Sequence, residues 1–462
     1  MAGQHRRIYL SASRKSSGKT CLSIGLLHTL ARQGVKTQPF KKGPDYIDPM
    51  WLSRAAGQPC YNLDYNTQTS QEILETAARG SAADYALIEG NLGLFDGMAT
   101  DGSDSNAALA KLLQAPIALI LDSEGMARGI APLVLGYQQF DSKLQWAGVI
   151  LNRTAGSRHE SKLIHAVEQH TDLPVLGAVG RSPDMQLAER HLGLITHAEQ
   201  ADADQRIEKM GRVVAESVDV ERLLSLAGSP VADLKTEAPA SAPAPDLRIG
   251  YARDAAFGFY YADDLEQFAR LGAELVPFDA LHDTDLPEMD GLWLGGGFPE
   301  TQAEALSTNA SMKEALHDRI AAGLPTYAEC GGLMYLSRQI SWEDQTHEMV
   351  GVVPGDCVMD SRPQGRGLVE LEATGDFPWP EVPSGLQVPA HEFHYSRLEN
   401  LSGDLRWGWQ VRRGTGTAEE MDGLILGNLF ANYCHLRHTK RFEWIRHFLG
   451  FVRERASKQT QN

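Results

Sequence analysis

The sequence predicts two α/β domains in tandem, the first built on a largely parallel sheet. Three observations carry this. Short apolar runs alternate with helix-length amphipathic intervals, which implies βαβ units. Chemistry-bearing residues recur just beyond the ends of those runs, where open parallel sheets collect ligands. A Pro/Ala/Ser-rich stretch, GSPVADLKTEAPASAPAPD over 228–246, interrupts the pattern and buries too little apolar surface to order itself. The expected division is therefore 1–227, a linker over 228–246, and 247–462.

In the first domain the strand-like runs are Ile8–Ala12, Val35–Phe40, Tyr85–Glu89, Ile117–Asp122, Trp146–Asn152 and Val175–Val179. The first leads into SASRKSSGKT (11–20) and then Leu22–Leu30, an apolar-rich helical stretch. This is a Walker A pattern, GxxxxGK(S/T), between the strand and helix that it requires. Backbone N–H groups of such a loop cradle phosphate oxygens, with Gly18 at its turn, Lys19 neutralising charge and the Thr20 hydroxyl available to Mg²⁺. Ser13 stands where the pattern has its first glycine, which brings Arg14 and Lys15 into question as further phosphate contacts. After the second run, KKGPDYIDP places Lys41 and Lys42 beside Asp45 and Asp48. Glu89 ends a buried run opposite the phosphate loop, the expected place for a carboxylate that serves Mg²⁺.

The second domain opens in the same style, with Arg248–Ala252, Leu275–Phe278, Gly291–Leu294 and Leu324–Ala328. From Val350 it turns to Gly/Pro-punctuated strands, so antiparallel additions to an α/β core are expected. TYAECGGL (326–333) reads as strand, sharp turn, helix start, with Cys330 at the turn. That geometry predicts an exposed thiol of lowered pKa and an oxyanion donor at Gly331; Gly296 and Gly297, after an earlier strand, supply a second. His435 is the expected base.

Composition narrows the function. With 43 basic and 60 acidic residues the formal net charge is −17, which disfavours nucleic acid or an anionic membrane as partner. No apolar run is long enough to cross a bilayer, and the opening residues carry no signal-peptide pattern, so a cytoplasmic location is expected. Five scattered cysteines without a CxxC pair argue against a disulfide framework or a zinc site.

The segments PFKKGPDYIDP, IEGNLGLFDG, GMARGIAPLVLGYQQFD, GVILNR and ERHLGL, in that order, resemble the cobyrinate a,c-diamide synthase family, and the Cys330–His435 pattern resembles a class I glutaminase. The resemblance implies a dethiobiotin-synthetase-like P-loop domain followed by a class I glutaminase-like α/β domain. It implies a ligase of cobalamin biosynthesis that uses ATP and glutamine as co-substrates and Mg²⁺ as cofactor to amidate the a and c acetates of a tetrapyrrole through acyl phosphates. It leaves room for a homodimer. Carried over, Arg14, Lys15, Gly18, Lys19, Thr20, Lys41 and Asn152 would bind ATP, Asn152 at the adenine edge; Thr20, Asp48 and Glu89 would hold the metal; Asp45, Tyr46, Asp96 and Arg128 would meet the acceptor.

Some details depart from the family pattern. Lys42, Asn91 and the segment 102–106 suggest siroheme as an alternative acceptor, and Arg437 stands where class I glutaminases carry the glutamate that orients their histidine. A P-loop regulatory ATPase with an inactive glutaminase domain is the competing class.

Overall fold

The computed structural model describes residues 5–80, 82–190, 193–228 and 242–459. The chain divides into two compact units, Met1–Glu237 and Ala238–Asn462.

The first unit is built on seven strands: β1 (Arg6–Ala12), β2 (Thr37–Lys42), β3 (Tyr61–Leu63), β4 (Tyr85–Glu89), β5 (Ile117–Asp122), β6 (Trp146–Thr154) and β7 (Val175–Gly180). They form one sheet in the order β3-β2-β4-β1-β5-β6-β7. Every pairing in it is parallel. A central parallel strand is buried on both faces: β1 and β5 are mostly apolar, whereas β2 (TQPFKK) is buried throughout although it carries Lys41 and Lys42 at its end. The three-residue β3 is absent from the sequence expectation, being too short to show a period.

Helix α1 (Lys19–Arg32) leaves the end of β1 and buries Leu22, Ile24, Leu26, Leu27 and Leu30. Ala203–Ser217 lies against it so closely that a Cβ on Gly25 would stand 2.7 Å from the Met210 carbonyl oxygen. Helix α2 (Ile47–Ala56) follows β2. The strand order puts β1 between β4 and β5, so the phosphate loop, Glu89 and Asp122 leave neighbouring strands at the same sheet edge. Gly228 exchanges two backbone hydrogen bonds with Arg7, at 2.9 and 3.1 Å, so the expected linker begins inside the ordered first unit. Residues 229–241 of that linker lie outside the described residues, as do His191 and Leu192 of ERHLGL.

The second unit contains a nine-stranded mixed sheet. Its strands are β8 (Leu247–Ala252), β9 (Ala273–Phe278), β10 (Gly291–Leu294), β11 (Thr326–Glu329), β12 (Gly365–Ala373), β13 (Gln387–His394), β14 (Arg406–Arg413), β15 (Met421–Leu426) and β16 (Leu429–Asn432). The order is β9-β8-β10-β11-β16-β15-β14-β12-β13. The first five are mutually parallel. The rest are added antiparallel, as the punctuated C-terminal sequence predicts. Tyr327, Phe430, Trp293 and Trp444 are buried in the core beside this sheet, the two tryptophan rings 5.2 Å apart.

Candidate active sites

In the first unit, Lys19 opens α1 and Gly18 caps it at φ +89°, a left-handed conformation that glycine adopts without steric cost. Lys19 is buried and its Nζ donates to the Leu92 carbonyl at 2.6 Å. Burial and the neighbouring Lys41 charge lower its pKa to about 8. Thr20 Oγ1 donates to Glu89 Oε1 at 2.9 Å and lies 3.2 Å from Asp48 Oδ2. The ammonium of Lys41 bonds Asp48, stands 2.6 Å from Glu89 Oε1 and 3.7 Å from Asp45. Burial works against the Lys41 charge, but the three carboxylates outweigh it and raise its pKa. Burial and Asp48 push Asp45 up to about 7, whereas Lys41 overcomes burial at Asp48 and holds that carboxyl below its ordinary range. Three elements distant in sequence thus converge on one cluster of carboxylates, lysines and a hydroxyl.

The oxygens of Thr20, Asp48 and Glu89 suit a magnesium ion, which takes one or two carboxylates and leaves its other positions to phosphate and water. Glu89 Oε2 is buried without a hydrogen-bond partner among the described residues, an acceptor that a cation would satisfy.

Other predicted residues are placed differently. Arg14 reaches Asp122 at 2.8 Å with most of its side chain exposed, and Arg153 meets the same carboxylate at 2.9 Å. Lys15 is exposed. Asn152 is buried, donates to the Ser17 carbonyl at 2.9 Å, and blocks any side chain at Gly18. Its amide thereby ties β6 to the phosphate loop, with Oδ1 accepting from Arg153 N–H at 3.0 Å. Tyr46 is buried immediately before α2, and Asp96 accepts from Gly93 N–H at 3.0 Å. Arg128 is exposed, 3.5 Å from His170 and outside the Lys41 cluster.

In the second unit, Cys330 follows β11 at φ +46°, ψ −102°, a conformation uncommon for a side-chain-bearing residue and typical of a nucleophile on a tight strand-to-helix turn. Its N–H bonds the Asn432 carbonyl at 2.7 Å, tying the turn to β16. Parallel pairing of β11 and β16 brings Cys330 and His435 out of adjacent strands at one edge. A Cβ on Gly331 would stand 2.9 Å from Gly297 N, and one on Gly296 2.5 Å from His435 Cε1. The glycine loop at 296–297 therefore packs against both Gly331, next to the cysteine, and His435, with no room for side chains at Gly296 and Gly331.

One expectation is overturned. Cys330 is 4% exposed, and burial, reinforced by Glu300, raises its thiol pKa; the Gly331 N–H opposes this without reversing it. The helix behind it, Gly331–Leu336, has only six residues, too short a dipole to offset desolvation. Burial, then His391 and His394, lowers the His435 pKa, keeping the imidazole neutral. His391 stacks on His435 with ring centroids 4.9 Å apart.

Residues 11–195 match the CobQ/CobB/MinD/ParA nucleotide binding domain family, and residues 248–442 the CobB/CobQ-like glutamine amidotransferase domain family. A cobyrinate a,c-diamide synthase of Magnetococcus marinus is 44% identical over 460 residues, covering 98% of both chains. The chain belongs to the cobyrinate a,c-diamide synthase family. The enzyme of that name from Methanosarcina acetivorans is 37% identical, covering 94% of this chain and 93% of the relative. That from Listeria monocytogenes is 36% identical, covering 96% and 99%. The chain is thus a nucleotide-binding, glutamine-dependent amidotransferase, and neither the siroheme nor the regulatory-ATPase reading is favoured.

Against this family background the departures have local explanations. Lys42 Nζ lies 3.3 Å from Asn91 Oδ1, so two apparently separate differences are one contact. Asp104 accepts from Met98 N–H and Ala99 N–H, while Ser105 caps the helix Asn106–Leu112, which makes the segment 102–106 a turn and cap. Arg437 is buried against Asp263 at 2.8 Å and over the Tyr261 ring at 4.8 Å. Among the described residues no helix is long and apolar enough to cross a membrane.

Sequence reasoning missed Glu329, which precedes Cys330, and Asp263, 174 residues from Arg437. Glu329 stood inside the quoted motif; its position as the last residue of a buried strand was the available signal.

Proposed function

We propose that this protein amidates the a and c acetate carboxylates of cobyrinate, with residues 1–227 as the ATP-dependent amidoligase and 247–462 as the glutaminase. The observation that carries the acceptor is near-full-length similarity to enzymes named for that reaction. The net charge of −17 also supports a small-molecule acceptor over nucleic acid.

At the glutaminase site the Cys330 sulfur attacks the carboxamide carbon of glutamine while His435 takes the thiol proton. Gly297 and Gly331 N–H groups receive the oxyanion. His435 then returns the proton to the departing ammonia, and water cleaves the thioester to release glutamate and restore the thiol. At the ligase site an acetate oxygen of the acceptor attacks the γ-phosphorus of ATP and ADP leaves. Ammonia attacks the acyl phosphate, phosphate departs with the C–O bond, and one proton is lost. Activation is needed because a carboxylate resists nucleophiles and has no adequate leaving group. Lys19 and Lys41 offset the charge of the transferring phosphoryl group, and Asp45, 3.7 Å from Lys41, would meet the acceptor together with its neighbour Tyr46. Thr20, Asp48 and Glu89 would hold Mg²⁺, which supplies charge neutralisation to the phosphates when bound.

The purified protein with ATP, magnesium and glutamine is expected to add two amides to cobyrinate by mass spectrometry. Amidation of siroheme with cobyrinate left untouched would reject the acceptor assignment. Asp48→Asn and Glu89→Gln are each expected to raise the magnesium concentration needed for half-maximal amidation by about 10–100-fold. Glutamine hydrolysis measured alone should be spared; an unchanged magnesium titration would remove these residues from the metal site.

A further inference from the structure

Class I glutaminases take their orienting acid from two residues beyond the histidine, and here that residue is Arg437, a buried cation paired with Asp263. A cation cannot accept a proton from an imidazole N–H. An acid does face His435 from another direction: Glu329 Oε2 lies 3.9 Å from His435 Nδ1, and both side chains are buried. We propose that Glu329, the residue immediately before the nucleophile, is the positioning residue that sets the tautomer of His435. The inference rests on the proposed Cys330–His435 pair.

Hydrogen bonding around Glu329 assigns its two oxygens different tasks. Oε1 accepts from the Tyr327 hydroxyl at 2.6 Å and from Leu436 N–H at 2.9 Å. The Tyr327 oxygen itself accepts from Asn432 Nδ2 at 3.0 Å, so its own proton is directed to Glu329. Leu436 adjoins His435 in the chain, so the carboxylate grips the peptide that carries the base. That leaves Oε2 to act on the imidazole, at 3.9 Å through its charge and not through a formed hydrogen bond. With Glu329 ionised, Nδ1 carries the hydrogen and the Nε2 lone pair is available to the thiol. With Glu329 protonated on Oε2, Nδ1 becomes the acceptor and the hydrogen moves to Nε2, where it blocks proton removal. Ionised Glu329 also offsets the imidazolium that forms as the thiol is deprotonated.

The groups facing this pair set where it titrates. Burial raises Glu329 to about 8, against the hydrogen bonds from Tyr327 and Leu436 and with the help of Asp422. His391 and His394 face His435 and favour its neutral form. Glutamine hydrolysis should therefore rise with pH through about 8 as Glu329 loses its proton.

Glu329→Gln tests the proposal. Its carboxamide oxygen must serve the two donors, Tyr327 and Leu436, which turns its NH₂ group toward Nδ1 and enforces the wrong tautomer. The expected result is a fall in kcat for glutamine hydrolysis on the order of 10²–10⁴-fold, little change in KM, and loss of the rising pH limb. Amidation from free ammonia should persist. Wild-type kcat with the same limb would overturn the proposal, and so would an equal loss of ammonia-dependent activity, which marks a structural role. Tyr327→Phe removes one hydrogen bond that favours the ionised carboxylate and should move the limb to higher pH; an unmoved limb also counts against it. Cys330→Ser, assayed alongside, separates the two readings: retained glutamine hydrolysis there would show that the Cys–His assignment failed first.

Discussion

Cys330→Ser is expected to reduce glutamine-dependent amidation by a factor on the order of 10⁴ or more while leaving amidation from added ammonia intact. Serine is nearly the same size, so the turn at φ +46° and the bond from its N–H to Asn432 should survive. Chemistry is what changes. The hydroxyl is far less acidic than the thiol, and a site that already raises the thiol pKa by burial will disfavour an alkoxide still more. The measurement is initial velocity with glutamine and, separately, with ammonium salt at matched pH. Loss of both activities would reject a division into glutaminase and ligase sites; survival of both would remove Cys330 from catalysis.

Lys19→Ala should have the complementary effect, lowering amidation from either nitrogen source by at least about 100-fold. Alanine is a good helix former, so α1 should persist, and the lost contact at Leu92 is a single hydrogen bond. The larger loss is a cation opposite the phosphate chain, where charge in a dry site has few substitutes. ADP formation and product amide should fall together. Full turnover with ATP would exclude the phosphate loop from the reaction.

Much of the ligase site is visible in the primary structure because its components are local. Gly18, Lys19 and Thr20 are consecutive, and their placement between a strand and a helix follows from apolar periodicity over about twenty residues. Glu89 is legible for a related reason, as the acid that ends a buried run. The length and patterning of Tyr85–Glu89 and Ile117–Asp122 match the strands found. Arg128, by contrast, is exposed beside His170, a neighbour 42 residues away that no local pattern announces. The amide of Asn152 likewise meets the Ser17 carbonyl across 135 residues, a contact that only the sheet brings about.

The sequence alone determined the two-domain α/β plan, the phosphate loop, the cysteine turn and the candidate base, all encoded in patterns within short windows. Tertiary structure decided which charges share a site. Lys41 meets Glu89 across 48 residues because β2 and β4 pair in register at those residues, and Arg437 meets Asp263 across 174. It also decided the state of the thiol: the same turn that marks Cys330 as a nucleophile buries it, and desolvation outweighs the short helix behind it. Glu329 belongs to this class, because its partners come from its own strand and from the segment after β16. Periodicity reports which face of an element is apolar; desolvation and ion pairing depend on what other elements bring to that face, and only strand order and register specify that.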